Sequence, residues 1–311
     1  MTPGGQEGND VDQPPIHVSD QAERRRSARQ GVVFFLVALV ALSAPATAFA
    51  VISRNEIGVL LLMWSPGVAA LLVRLIRREG IADISLRMGG RRGWLAALFA
   101  LCYPIIIGSI AYGIGWASGL ADYTTPADSA TGWPAFAAEL FFGTLVGTAI
   151  GLVFALGEEL GWRGYLLTRL IDAEVPRPIL VGGLIWAAWH LPLIIGGSYL
   201  TGNGGSMPLI ALLFTIQVTV VSFLFARLRL NTGSLWPAVI LHASWNHVIQ
   251  SFFDPHTTGP RTWLWLGEQG LLTLATNTLA VYLICRRPTR LLHQPPTAPS
   301  DAQRSRETTQ T

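Results

Sequence analysis

The sequence predicts an all-α polytopic membrane protein of about eight transmembrane helices. Three observations carry this. Hydrophobic residues fill 50% of the 311 positions and charged residues only 13%, about half of the ~25% charged share of ordinary soluble domains. The apolar residues fall into separate runs of roughly 20, the length a helix needs to cross a bilayer. None of the runs shows the two-residue alternation of outer-membrane barrel strands.

Residues 1–30 are polar and lack apolar periodicity, so they read as a disordered tail. The first span is expected at 31–52. Ala46-Thr47-Ala48 and Ala48-Phe49-Ala50 resemble signal-peptidase sites, but the run continues to Ile52, longer than a signal-peptide core of roughly 7–15 residues. It is expected to be an uncleaved anchor. The second and third spans, 57–76 and 94–118, flank a loop with Arg77, Arg78, Arg87, Arg91 and Arg92. The fourth, 134–157, follows a loop with Asp122 and Asp128 and no positive charge. The remaining spans are expected at 178–198, 207–228, 234–252 and 264–285, followed by a second polar tail, 288–311. Five segments result: tail 1–30, helices one to three within 31–125, a core of helices four to seven within 126–255, helix eight within 256–287, and tail 288–311.

Orientation follows from the arginines, since short cytoplasmic loops are enriched in positive charge. Arg24, Arg25, Arg26 and Arg29 place the N-terminus in the cytoplasm. Arg163, Arg169 and Arg177 place the 4–5 connection there, Arg227 and Arg229 the 6–7 connection, and Arg286, Arg287 and Arg290 the C-terminus. Only Arg54 and Arg261 run against the trend. The expected location is the cell membrane, multi-pass, with both termini cytoplasmic. The net charge of +3 does not indicate nucleic acid, because the arginines cluster beside apolar runs, where they serve topology and contact anionic lipid. Cys102 and Cys285 both sit in apolar runs and suggest no disulfide framework.

Against this background Glu158 and Glu159 stand out, closing the apolar run 133–157. Carboxylates at membrane depth are costly and usually mark a functional site. Glu159 and Arg163 are four apart and share a helical face, which leaves Glu158, turned about 100° away, without that partner. Trp162 and Tyr165 suit a segment, 160–171, lying near the headgroups. His190 lies about twelve residues into its helix, ~18 Å deep at ~1.5 Å per residue. His242 and Asn246 share a face one turn apart. All three elements are expected to enter from the same side and converge. His247 points elsewhere on its helix. His17, His256 and His293 fall in tails or loops, Asp254 and Glu268 near the outer surface, and Glu139, early in the fourth helix on the outer side, is assigned no role. No H-E-x-x-H pair occurs, and Ser65 does not lie in a G-x-S-x-G segment.

Glu158-Glu159-x-x-x-Arg163, Trp186-x-x-x-His190 and His242-x-x-x-Asn246 together resemble the three motifs of the CPBP intramembrane proteases, which include the type II CAAX prenyl endopeptidases and bacteriocin-processing proteins. The resemblance covers about 134–252. It departs at Trp186, where the pattern usually has phenylalanine. It implies a catalytic cavity within the membrane and peptide-bond hydrolysis there. Glu158 with His190 would activate a water, His242 and Asn246 would stabilise the oxyanion, and Glu159 would orient the site through Arg163. A metal-dependent version has His190, His242 and Glu158 ligating Zn²⁺, and the sequence leaves both versions open. The implied substrate is a hydrophobic or membrane-bound peptide or protein. The same residues also admit a non-proteolytic immunity or scaffold protein of this fold, or a proton-coupled transporter.

Overall fold

The computed structural model describes residues 18–197, 199 and 205–286. The expectations for tail 288–311, for His17 and His293 and for the start of tail 1–30 lie outside these residues.

The chain is helical in order: α1 Val18–Ser53, α2 Glu56–Arg77, α3 Gly90–Ala117, α4 Trp133–Gly161, α5 Leu167–Asp172, α6 Pro178–Ile195, α7 Met207–Thr232, α8 Trp236–Trp245, the short α9 Thr262–Trp265, and α10 Leu271–Cys285. Two π-helical stretches are inserted, Trp162–Leu166 between α4 and α5 and Asn246–Phe253 after α8. Among the described residues six helices are long and apolar enough to cross a membrane: 20–53, 57–77, 90–117, 133–172, 178–195 and 207–232. This is a multi-pass membrane protein, and its apolar exterior agrees. Phe142, Val146, Ile150 and Val153 form an exposed stripe on α4, a face suited to lipid rather than water.

The count of eight spans is not reached, and two residue patterns explain why. The seventh segment breaks after ten α-helical residues at Trp245 and continues as the π-stretch; it carries His242, Ser244, Asn246, His247 and Gln250, which lower its hydropathy. The eighth starts at Leu271, not 264, because α9 and a turn occupy the segment before it. Its 15 residues span only ~22 Å at ~1.5 Å per residue, short of the ~30 Å core.

Two further expectations are corrected. The first helix begins at Val18 rather than residue 31; Arg25 pairs with Glu174 and Arg29 donates to the Ala173 carbonyl, tying the extra turns to the end of α5. The segment 160–171 is not a separate surface helix. It continues α4 through the π-stretch, and Trp162 and Tyr165 are buried in the main core.

The connections sort onto two ends. At one, Arg229 donates to the Asp83 carbonyl, the Leu235 amide donates to the Ser85 carbonyl, and Arg169 pairs with Glu79. The loops after α2, α5 and α7 therefore meet there, and these are the arginine-rich ones. At the other end β1, Asp122–Tyr123, pairs antiparallel with β2, Thr257–Thr258, and Tyr112 bonds Asp254.

Glycines set the approach of α2 to α4. A Cβ on Gly157 would fall 2.8 Å from the Trp64 Cα, one on Gly161 2.4 Å from the Pro66 Cβ, and one on Gly67 2.5 Å from the Gly157 carbonyl oxygen. Small residues at four-residue spacing let two backbones touch inside a bilayer. Gly157 and Gly161 bracket the two glutamates, so this contact fixes where Glu158 and Glu159 stand.

The arginine-rich end titrates in a defined sense. Burial alone would raise the Glu79 carboxyl, but its bonds to Arg77 and Arg169 outweigh that and hold it below its usual value. A carboxyl lowered on folding stabilises the fold above its unfolded value, near 4.5, and that stability is lost as the pH falls through the lower folded value. Glu79→Gln is therefore expected to lower the melting temperature at pH 7 and to have little effect near pH 3. An equal loss at both pH values, measured in detergent, would refute this account of the cluster.

Candidate active site

Glu158 and Glu159 end α4 on neighbouring faces, and both are buried, at 1% and 0% exposure. Removing two carboxylates from water costs several kcal/mol each unless partners compensate. Glu159 Oε1 accepts from Arg163 NH1 at 2.9 Å, the expected i,i+4 pair, and from His242 Nδ1 at 2.8 Å. Glu158 receives no cation of this kind. Its Oε2 accepts from the indole nitrogens of Trp162 at 3.1 Å and Trp186 at 2.9 Å. Its Oε1 lies 3.8 Å from His242 Nε2.

Arg163 is itself buried, lodged between the rings of Trp186 and Phe225, each 4.1 Å from its guanidinium carbon. The π-stretch Trp162–Leu166 carries it, and π-insertions inside α-helices concentrate at functional sites. The second such stretch begins at Asn246, one turn after His242.

The histidine bonds fix their tautomers. His190 Nδ1 lies 3.0 Å from the Trp186 carbonyl oxygen. A carbonyl only accepts, so a neutral His190 carries its proton on Nδ1 and leaves Nε2 bare. His242 Nδ1 faces a carboxylate, which likewise makes Nδ1 the donor and Nε2 the free nitrogen.

Glu158, His190, His242 and Asn246 line one cavity of about 140 Å³. At ~10–15 Å³ per water, this volume admits several. Its walls are largely aromatic, from Trp186, Trp189, Tyr199, Phe214, Phe225 and Trp245. The six expected site residues are thus brought together: four line the cavity, and Glu159 and Arg163 sit behind His242.

Several groups at the cavity were not expected. Glu268 is buried. It lines the cavity and accepts from Trp245 Nε1 at 3.1 Å and Gln250 Nε2 at 3.0 Å, and it bonds the Tyr199 hydroxyl. It lies in a loop, where no periodicity could have flagged it. Trp162 could have been found, being four residues from Glu158. His247 borders a separate groove against Gly143 and Gly147. His256 is buried rather than in a free loop, with Nε2 3.9 Å from Glu139, whose other oxygen accepts from Ser129.

Among the described residues no three His, Cys, Asp or Glu side chains converge as a metal-binding group. The Glu158 Oε1–His242 Nε2 distance is 3.8 Å, and His190 lines the same cavity with Nδ1 on the Trp186 carbonyl.

The buried Glu159–Arg163 pair makes a quantitative prediction. Removing one partner of a buried ion pair leaves the other charge stranded, at ~3–5 kcal/mol. Arg163→Ala and Glu159→Gln should each destabilise strongly, and Arg163→Lys less than Arg163→Ala because the charge stays while the planar fork is lost. The Glu159→Gln/Arg163→Ala double variant should lose less than the sum. Simple additivity in chemical denaturation would show that the two side chains are not coupled.

Residues 139–248, roughly a third of the chain, match the family model of Rce1-like proteins, described as type II CAAX prenyl endopeptidases. No curated protein matches the chain. The match takes in Glu158, Glu159, Arg163, His190, His242 and Asn246 and stops short of Glu268. The segment that builds this buried glutamate–histidine site is thus similar to the Rce1-like, type II CAAX prenyl endopeptidase family.

Proposed function

We propose that this chain is an intramembrane endopeptidase that hydrolyses a peptide bond of a hydrophobic or membrane-bound peptide or protein. The observation that carries the reading is the placement of Glu158 Oε1 3.8 Å from His242 Nε2, with His190 and Asn246 in the wall of the same water-sized cavity.

Chemistry follows from those atoms. A water held at Glu158 Oε1 gives up a proton to it as its oxygen attacks the scissile carbonyl carbon, and the bare Nε2 of His190 accepts from the water's other hydrogen. The carbonyl oxygen becomes an oxyanion. Asn246 supplies a neutral N–H donor to it. His242 supplies another from Nε2 in its doubly protonated form, which takes its second proton from solvent before the reaction and keeps it throughout, and the Glu159 carboxylate on Nδ1 is the arrangement that stabilises such a cation. Each donor of this kind is worth roughly 3–4 kcal/mol in the transition state where it has been measured. The proton on Glu158 then passes to the leaving amine, and the carboxylate is restored.

Glu158→Gln should abolish cleavage of a quenched fluorescent peptide library by the purified protein while leaving the melting temperature equal or higher, since a costly buried charge is removed. Cleavage at the wild-type rate by the variant would sink the mechanism. A large loss of folded protein would give Glu158 a structural role instead.

We further propose that the arginine-rich end faces the cytoplasm, on the strength of the charge bias. Reporter fusions at the C-terminus and after Gly205 should then report opposite sides of the membrane. The same side for both would rule this orientation out.

A further inference from the structure

Trp186 touches three of the residues to which the proposed reaction gives roles, and Arg163 besides. Its indole N–H donates to Glu158 Oε2 at 2.9 Å. Its carbonyl oxygen takes the Nδ1 of His190 at 3.0 Å. Its ring lies 4.1 Å from the Arg163 guanidinium carbon and edge-on to the His242 imidazole, with centroids 5.5 Å apart. The second indole on Glu158, that of Trp162, reaches the same oxygen at 3.1 Å.

The two donors on one oxygen have a chemical consequence. A carboxylate oxygen offers about two lone pairs, and an ionised carboxylate is an acceptor only. With two N–H groups directed at it, Oε2 has neither a lone pair left for water nor room for a proton. Oε1 has both.

We infer that Trp186 and Trp162 are positioning residues that clamp Glu158 Oε2, making Oε1 the oxygen that holds the water and takes its proton. The inference rests on the endopeptidase reading for its kinetic consequence, though the clamp stands on geometry alone. The clamp also sets direction. It turns Oε1 toward His242 Nε2, and one residue, Trp186, sets the position of Glu158 and the tautomer of His190 together. Phenylalanine at 186 would keep an aromatic ring and the backbone carbonyl while removing the N–H and the second ring of the indole.

The test compares Trp186→Phe, Trp162→Phe and wild type in lipid nanodiscs. Each variant should fold and cut the best library peptide with kcat lower by about 10–100-fold, as for residues that orient ligating groups, while KM in Trp162→Phe, which lies outside the cavity wall, stays within about threefold. A separate reading needs no activity. In protein labelled with ¹⁵N-tryptophan, the indole resonances of Trp162 and Trp186, assigned from the two variants, should move upfield in Glu158→Ala. The Trp116 indole, which donates to Thr257 at 3.1 Å, should stay in place.

Wild-type kcat in Trp186→Phe, or indole resonances unmoved by Glu158→Ala, overturns the clamp. If Trp186→Phe fails to fold, the Trp162→Phe kinetics and the wild-type resonances decide. If the wild-type protein cuts no peptide, the endopeptidase reading fails, and the resonance shifts alone decide whether the clamp exists.

Discussion

Two carboxylates side by side in a bilayer repel each other and lose the water that would solvate them. The rest of the site is organised around that cost. Glu159 meets it with charge, through Arg163 and the Nδ1 of His242. Glu158 meets it with two neutral indole donors. The difference matters chemically. Both donors on Glu159 meet at Oε1 and tie it to Arg163, whereas the indoles on Glu158 occupy only Oε2 and leave Oε1 facing the cavity. The adjacent glutamates thus divide into an anchor and a reagent.

Arg163 would be a liability without further support, since a guanidinium at this depth needs its own environment. Trp186 and Phe225 sandwich it at 4.1 Å, and Ser222 on α7 offers its hydroxyl at 3.5 Å. Arg229, also on α7, donates to the Arg163 carbonyl. Buried charges, ring faces and backbone ends from α4, α6, α7 and α8 therefore form one connected unit. The glycine contact between α2 and α4 closes it from the fourth side, with Gly157 and Gly161 against Trp64 and Pro66.

Much of this was legible in the sequence, for physical reasons that also explain what was not. Long apolar runs announce membrane helices because backbone groups in lipid can only be satisfied internally. The Glu159–Arg163 pair was legible because four-residue spacing on a helix is a contact. That Glu158, His190 and His242 belong together was legible from the three motifs and from the ends at which their helices enter. Helix eight was misjudged because hydropathy cannot see that Gly267 and Gly270 bend the chain before Leu271. The burial of Trp162 and Tyr165 inside the protein was not foreseen because an amphipathic ring suits a headgroup layer and a polar core equally well. Glu268 was missed because its neighbours, Tyr199, Trp245 and Gln250, come from distant parts of the chain.

The π-stretches at Trp162–Leu166 and Asn246–Phe253 also bear on how the chain tolerates insertion and deletion. A π-turn closes its hydrogen bond one residue later than an α-turn. Losing one residue from such a stretch lets the backbone heal into ordinary α-helix with its hydrogen bonds intact, while everything on one side rotates by about 100° relative to the other. A deletion there would be nearly silent to hydropathy and to overall helicity. Yet it would swing Arg163 away from Glu159, or Gln250 away from the cavity. The spacing of residues through these two turns is therefore a dimension of the site in its own right, as binding as the identity of any side chain in it.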